Sequence, residues 1–123
     1  MKGERWDLKE RTKSFALRII KMYCALPKTT EAQVLGKQAL RSGTSVGAHY
    51  REAKRARSDA EFISKTEGAL QELDETGYWL ELLVESDIVS KKRLSKLLSE
   101  TEELLAILTT CTKNVKKRMK NER

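Results

Sequence analysis

Residues 42–83 read SGTSVGAHYREAKRARSDAEFISKTEGALQELDETGYWLELL, and the break in this stretch at Ser58 decides the fold. Before it, Gly43, Val46, Tyr50 and Ala53 recur at steps of three and four, a single stripe along a helix. After it, Phe62, Thr66, Ala69, Leu73, Thr76, Leu80 and Leu83 keep the same rhythm. Between the two stripes, SDAE at 58–61 reads as a capping box, in which the serine hydroxyl and the glutamate carboxylate cover amides that the first helical turn leaves free. Two helices joined by so short a connection have little option but to run back alongside each other.

Toward the amino terminus, the stripe of the second helix extends through Ala39 and Leu35 to Thr30, where TEAQ reads as another capping box formed by Thr30 and Gln33. Gly43 and Gly47 each cost about 1 kcal/mol of helix propensity relative to alanine. A helix that keeps both has another helix crossing close over them. The first helix carries the stripe Leu8, Thr12, Phe15, Ile19, Met22 and Leu26, and Pro27 stops it. Toward the carboxyl terminus, the connection SDIVS leads to a fourth stripe of Leu94, Leu97, Thr101, Leu104, Leu108, Cys111, Val115 and Met119. The expected fold is all-α: one domain over 1–123, an antiparallel up-down-up-down four-helix bundle with helices at about 4–26, 30–57, 59–86 and 90–120. One proline and six glycines in 123 residues leave too little turn punctuation for a fold of many short strands.

The chain carries 25 Lys and Arg against 18 Asp and Glu, a formal charge of +7. This excess is unevenly spread. Residues 59–89 hold nine acids and one base, so the third helix is acidic among basic neighbours, a pattern that intramolecular charge complementarity accounts for. In the alternating topology the start of helix one and the ends of helices two and four share a pole. There Lys2, Arg5, Lys9, Arg11 and Lys13 join Arg51, Lys54, Arg55 and Arg57, and Lys113, Lys116, Lys117, Arg118, Lys120 and Arg123. Seven acids stand against these fifteen bases, which leaves about +8 at that end and little net charge elsewhere. Cations at helix carboxyl ends complement the macrodipole, but two such ends beside a basic first turn exceed what capping requires. A phosphate-binding surface is expected, with Arg51, Lys54, Arg55, Arg57, Lys113, Lys116, Lys117, Arg118 and Lys120 as its contacts. Only Trp6 and Tyr50 lie among these cations, which favours recognition of backbone or shape over stacking on single-stranded bases.

The segment YWLELLV is apolar nearly all round, whereas a helix of a small bundle buries one side. Tyr78, Trp79 and Leu82 are therefore expected at a subunit interface. Other chemistry is sparse. The single histidine, His49, precedes Glu52 in the reverse of the Glu-x-x-His order that di-iron bundles use, and it reads as a helix-surface or interface histidine. Cys24 and Cys111 read as free thiols, because the topology separates them by on the order of 25 Å along the bundle at about 1.5 Å per residue. That separation also keeps them from converging with His49 on a zinc ion. No phosphate-cradling glycine loop and no nucleophile with an evident base is present, so neither an enzyme, nor a metal, nor a cofactor is expected. The first residues, MKGERWDLKERTK, lack the apolar centre of a signal peptide, no run is long enough to span a bilayer, and every stripe is needed for the core. The protein is expected to be cytoplasmic, with no membrane partner.

SGTSVGA followed by YREA, the SDAEFI turn and ETGYWLELL resemble, in order and spacing, the signature region of the bacterial four-helix-bundle family of 23S ribosomal RNA intervening-sequence proteins. The match is dense over 42–83 and holds elsewhere only in pattern. It departs from the family at His49, where asparagine is common. The resemblance implies an up-down bundle assembling as a ring-like homopentamer, and a basic, non-enzymatic accessory protein that binds RNA or another nucleic acid. A scaffold docking a partner protein, such as a reverse transcriptase, is the alternative.

Overall fold

A computed structural model describes residues 7–122. Four helices make up its regular structure: α1 Leu8–Cys24, α2 Thr30–Lys54, α3 Asp59–Glu85 and α4 Lys91–Asn121. No strand occurs among the described residues, and the arrangement fits a four-helix bundle. The positions from 4 to 6 of the expected first helix lie outside the described residues. Asp7 caps α1 by accepting from the Glu10 amide at 3.1 Å. The second helix ends three residues short of expectation, because the Arg55 and Ala56 amides bond to carbonyls only three residues back, at Glu52 and Ala53.

The caps explain the turns. Ser58 accepts the Glu61 amide at 3.1 Å, which is the serine half of the expected capping box. At α2 the expected box is displaced by one residue: Thr29, not Thr30, is the cap, and its hydroxyl accepts from Ala32. Gln33 is drawn away from the helix end, donating to the Pro27 carbonyl at 2.9 Å and accepting from the Tyr23 hydroxyl at 2.9 Å, so it ties the α1–α2 turn together. After α3 the Ile88 amide bonds to Leu83 and the Asp87 amide to Val84, a Schellman closure that puts Asp87 at φ 64°.

The stripes meet in one core. Phe15, Ile19, Val46, Leu73, Leu80, Leu83, Leu104 and Leu108 are fully enclosed, while Phe62 and Leu35, both expected inside, are only half-buried. Gly36 takes the place of Leu35 on the inner side. An alanine Cβ there would collide with Leu26 Cδ1, so three glycines, rather than two, admit α1. Three of the buried threonines, Thr12, Thr76 and Thr101, satisfy their hydroxyls by donating to the carbonyls four residues back, at Leu8, Glu72 and Leu97, whereas the Thr66 hydroxyl is enclosed without a partner. Ser42 and Thr76 face each other across α2 and α3 at 2.8 Å, both fully enclosed.

Contacts run in descending register between consecutive helices. Thr12 lies over Gly47 and Ile19 over Gly43, Arg41 meets Glu75 and Lys65 meets Glu52, and Thr101 lies over Gly77 where Arg118 meets Asp59. α2 and α3 pack most extensively, whereas α1 and α4 touch least. Their main polar link is Arg11, which grips Glu100 with two nitrogens at 2.7 and 3.1 Å and reaches Glu103 at 3.2 Å.

The glycines differ in what a side chain would meet. Alanine at Gly43 would sit 2.8 Å from Ile19, a stiff β-branched residue at 0% exposure, and Gly43→Ala is expected to cost about 1–3 kcal/mol. Alanine at Gly77 meets only Thr101 Cγ2 at 3.6 Å, so Gly77→Ala gains helix propensity and stabilises by up to about 1 kcal/mol. Urea midpoints of the two variants should move in opposite directions.

Candidate nucleic-acid interface

α2 ends on Arg51 and Lys54 and runs out through Arg55 and Arg57, all exposed. The last turns of α4 carry Lys113, Lys116, Lys117, Arg118 and Lys120, also exposed. Two bonds from α3 hold α4 against this end: Arg118 donates to Asp59 at 2.7 Å and Lys116 to Glu67 at 3.0 Å. A shallow hollow of about 440 Å³ lies between the two groups, lined by Lys54, Arg57, Ser58, Asp59, Val115 and Arg118. The nine cations expected to contact phosphate are thus brought to one end of the molecule.

Seven of the nine make no ion pair among the described residues: Arg51, Lys54, Arg55, Arg57, Lys113, Lys117 and Lys120. The pairs made by Lys116 and Arg118 are solvent-exposed and each contributes only about 0.2–1 kcal/mol, so a phosphate can compete for both. From α1 the exposed Lys9 and Lys13 join the same pole. Arg11 does not: its guanidinium turns to Glu100 and Glu103 of α4 and is only 17% exposed. Lys2, Arg5, Trp6 and Arg123 lie outside the described residues.

Beneath the cations the pole is closed by Tyr50 and Cys111. Burial pushes the Tyr50 phenol up, and the nearby Cys111 and Asp7 push it in the same direction. Burial likewise raises the Cys111 thiol, against the opposing pull of Lys54. These neighbours bring the start of α1, the end of α2 and the late part of α4 together. Both cysteines are free; Cys24 is exposed and Cys111 half-buried.

Acidic α3 is partly neutralised from both sides. Besides Asp59 and Glu67, its Glu72 and Glu75 receive Arg41 of α2 at 3.3 and 2.6 Å. His49 lies in this α2–α3 seam. Its ring lies where an alanine Cβ at Gly68 would come within 3.0 Å, and Nδ1 and Nε2 stand 3.6 and 3.8 Å from Glu52 and Glu72. Among the described residues no group of three His, Cys, Asp or Glu side chains is placed to hold a metal ion. No helix there is long and apolar enough to cross a membrane.

Of the three residues expected at a subunit interface, Tyr78 is 54% exposed and Leu82 half-buried. Trp79 is also half-buried, its indole Nε1 enclosed without a hydrogen-bond partner, and its ring lies 5.1 Å from that of Tyr78. A second group of cations, Arg18, Lys21, Arg93 and Lys96, surrounds a groove at the opposite pole. The small net charge away from the basic pole conceals this group, because the acids of α3 offset it in that sum while lying on another face.

The family model described as 23S rRNA-intervening sequence protein matches residues 4–110. The chain is also similar to a crystal structure, at 1.70 Å, of a protein with unknown function from the S23 ribosomal protein family of Bacteroides thetaiotaomicron VPI-5482. The two share 39% sequence identity and a TM-score of 0.81 over 85% of this chain and 97% of that one. No curated protein matches.

The two raised groups set the alkaline response. An unfolded chain releases the Cys111 and Tyr50 protons near their ordinary values, 9.0 and 10.0, while the folded chain retains them to higher pH. The folded state then binds more protons, so stability falls as pH rises through this window. Urea midpoints should drop between about pH 8 and 10.5, less steeply in Tyr50→Phe. A disulfide reagent at neutral pH should label Cys24 well before Cys111.

Proposed function

The chain belongs to the 23S rRNA-intervening sequence protein family, and on that premise we propose that it is a non-enzymatic, homo-oligomeric accessory protein that binds structured RNA through its basic pole. The observation that carries this reading is the set of seven cations, from the end of α2 and the end of α4, that share one pole without an ion pair among the described residues. Cations left open to solvent on two adjoining helix ends match the spaced charges of a phosphodiester backbone, whereas paired cations would first have to give up a carboxylate. The descending registers between consecutive helices support the antiparallel up-down-up-down arrangement on which this gathering depends.

Few aromatic rings lie at the pole, so affinity comes from phosphates and from the shape of a folded nucleic acid rather than from base stacking. Assembly through the Tyr78 face would multiply the pole; five copies in a ring would present five such cation sets together. The protein would then act by holding RNA and not by transforming it, in the cytoplasm where ribosomal RNA is made.

Binding to a structured RNA should weaken by about 10³-fold or more between 50 and 200 mM salt if several phosphates are neutralised per complex. Lys54→Glu combined with Lys117→Glu should lower affinity at least about tenfold and flatten the salt dependence, while Lys91→Glu with Lys92→Glu, at the other pole, should leave both unchanged. Salt-insensitive binding, or partner capture that survives nuclease treatment, would point to a protein-docking scaffold instead.

A further inference from the structure

The seam between α1 and α4 is the thinnest contact in the bundle, and it opens where α1 ends and α4 begins. A groove of about 450 Å³ lies there. Met22, Leu26 and Leu97 give it an apolar floor, and Arg18, Lys21, Arg93 and Lys96 surround it. None of these four cations makes an ion pair among the described residues. An apolar slot edged by unpaired cations suits an element that is apolar at its centre and acidic at its margins.

The carboxyl half of α3 has that composition. Tyr78 stands 54% exposed, with Asp74 four residues before it, Glu81 three after and Glu85 seven after, spacings that place all four on one helix face. The three acids are exposed and, like the groove cations, make no ion pair among the described residues. Trp79, packed at 5.1 Å with the rings tilted by 59°, supports the tyrosine from the inner side. α3 contacts α2 and α4 but not α1, so one molecule's ridge is not seated in its own groove.

We infer that the α1–α4 groove receives the acidic Tyr78 ridge of a second copy of this chain. The inference rests on the homo-oligomeric reading above and assigns the two surfaces it would use. The contact joins unlike faces, and so it repeats from copy to copy and either closes into a ring or runs on as a filament. Register along the bundle favours closure. Thr101 lies over Gly77, and following α3 and α4 from there in opposite directions brings Glu81 and Glu85 level with the α4 residues 93–97 that line the groove. Ridge and groove therefore sit at one height, and successive copies gain little rise. Tyr78 and Leu82 would enter the apolar floor while the three carboxylates meet the four cations. The basic poles would all lie at the same end of the assembly.

Charge reversal tests this directly. Arg93→Glu with Lys96→Glu alters the groove; Glu81→Lys with Glu85→Lys alters the ridge. Each change also suits the helix dipole, acids entering the first turns of α4 and bases the last turns of α3, so the fold is preserved. Circular dichroism checks this, and sedimentation at micromolar concentration gives the mass. The wild type should run as an oligomer, each double variant should fall to monomer mass, and the fourfold variant, with charges exchanged, should regain the oligomer. If both double variants keep the wild-type mass, or the fourfold variant stays monomeric, the groove–ridge contact is wrong although the protein oligomerises. A monomeric wild type would instead overturn the oligomeric reading and this contact with it.

Discussion

The Ser58 hydroxyl, accepting the Glu61 amide at 3.1 Å, turns the chain back on itself, and the charge layout of the molecule depends on that turn. Four residues separate Lys54, the last residue of α2, from Asp59, the first of α3. So short a link leaves α3 lying along α2, and it fixes Arg55 and Arg57 at the end of the molecule rather than on its side. The same turn sets Asp59 where Arg118 of α4 reaches it at 2.7 Å.

Once α3 lies between α2 and α4, its acids face basic partners on both sides. Arg41 takes Glu72 and Glu75, Lys116 takes Glu67, and Arg118 takes Asp59. These exposed pairs contribute little stability, and the fold rests on one enclosed apolar core. Their consequence lies in what is left unpaired. Cations remain at the two poles and carboxylates remain on the outer face of α3, so a chain of modest net charge carries separated patches of both signs. The interface argued for RNA and the one argued for a second copy use different members of that remainder.

Much of this was legible in the residues. Steps of three and four marked the stripes, the SDAE box marked the turn, and the cost of Gly43 and Gly47 signalled a close crossing that Ile19 and Thr12 now occupy. The rest depended on choices that a stripe does not encode. Thr29 and Thr30 offer the same hydroxyl, and the turn at Pro27, not the motif, selected the first as cap. Leu35 drew attention from Gly36, whose lack of a side chain is its contribution to packing against Tyr23 and Leu26. Arg11 has a reach long enough to leave its own pole for Glu100. The groove beside Arg93 reflects how little α1 and α4 touch, a property of the assembled bundle and of no single segment.

Lysine reactivity footprinting with and without a structured RNA tests most directly whether the α2 and α4 ends hold RNA phosphates. Bound RNA should shield Lys54, Lys113, Lys117 and Lys120 from acetylation while Lys28, Lys37 and Lys91 react as before. Equal protection of both poles, or protection of neither under conditions where RNA is bound, would contradict that assignment.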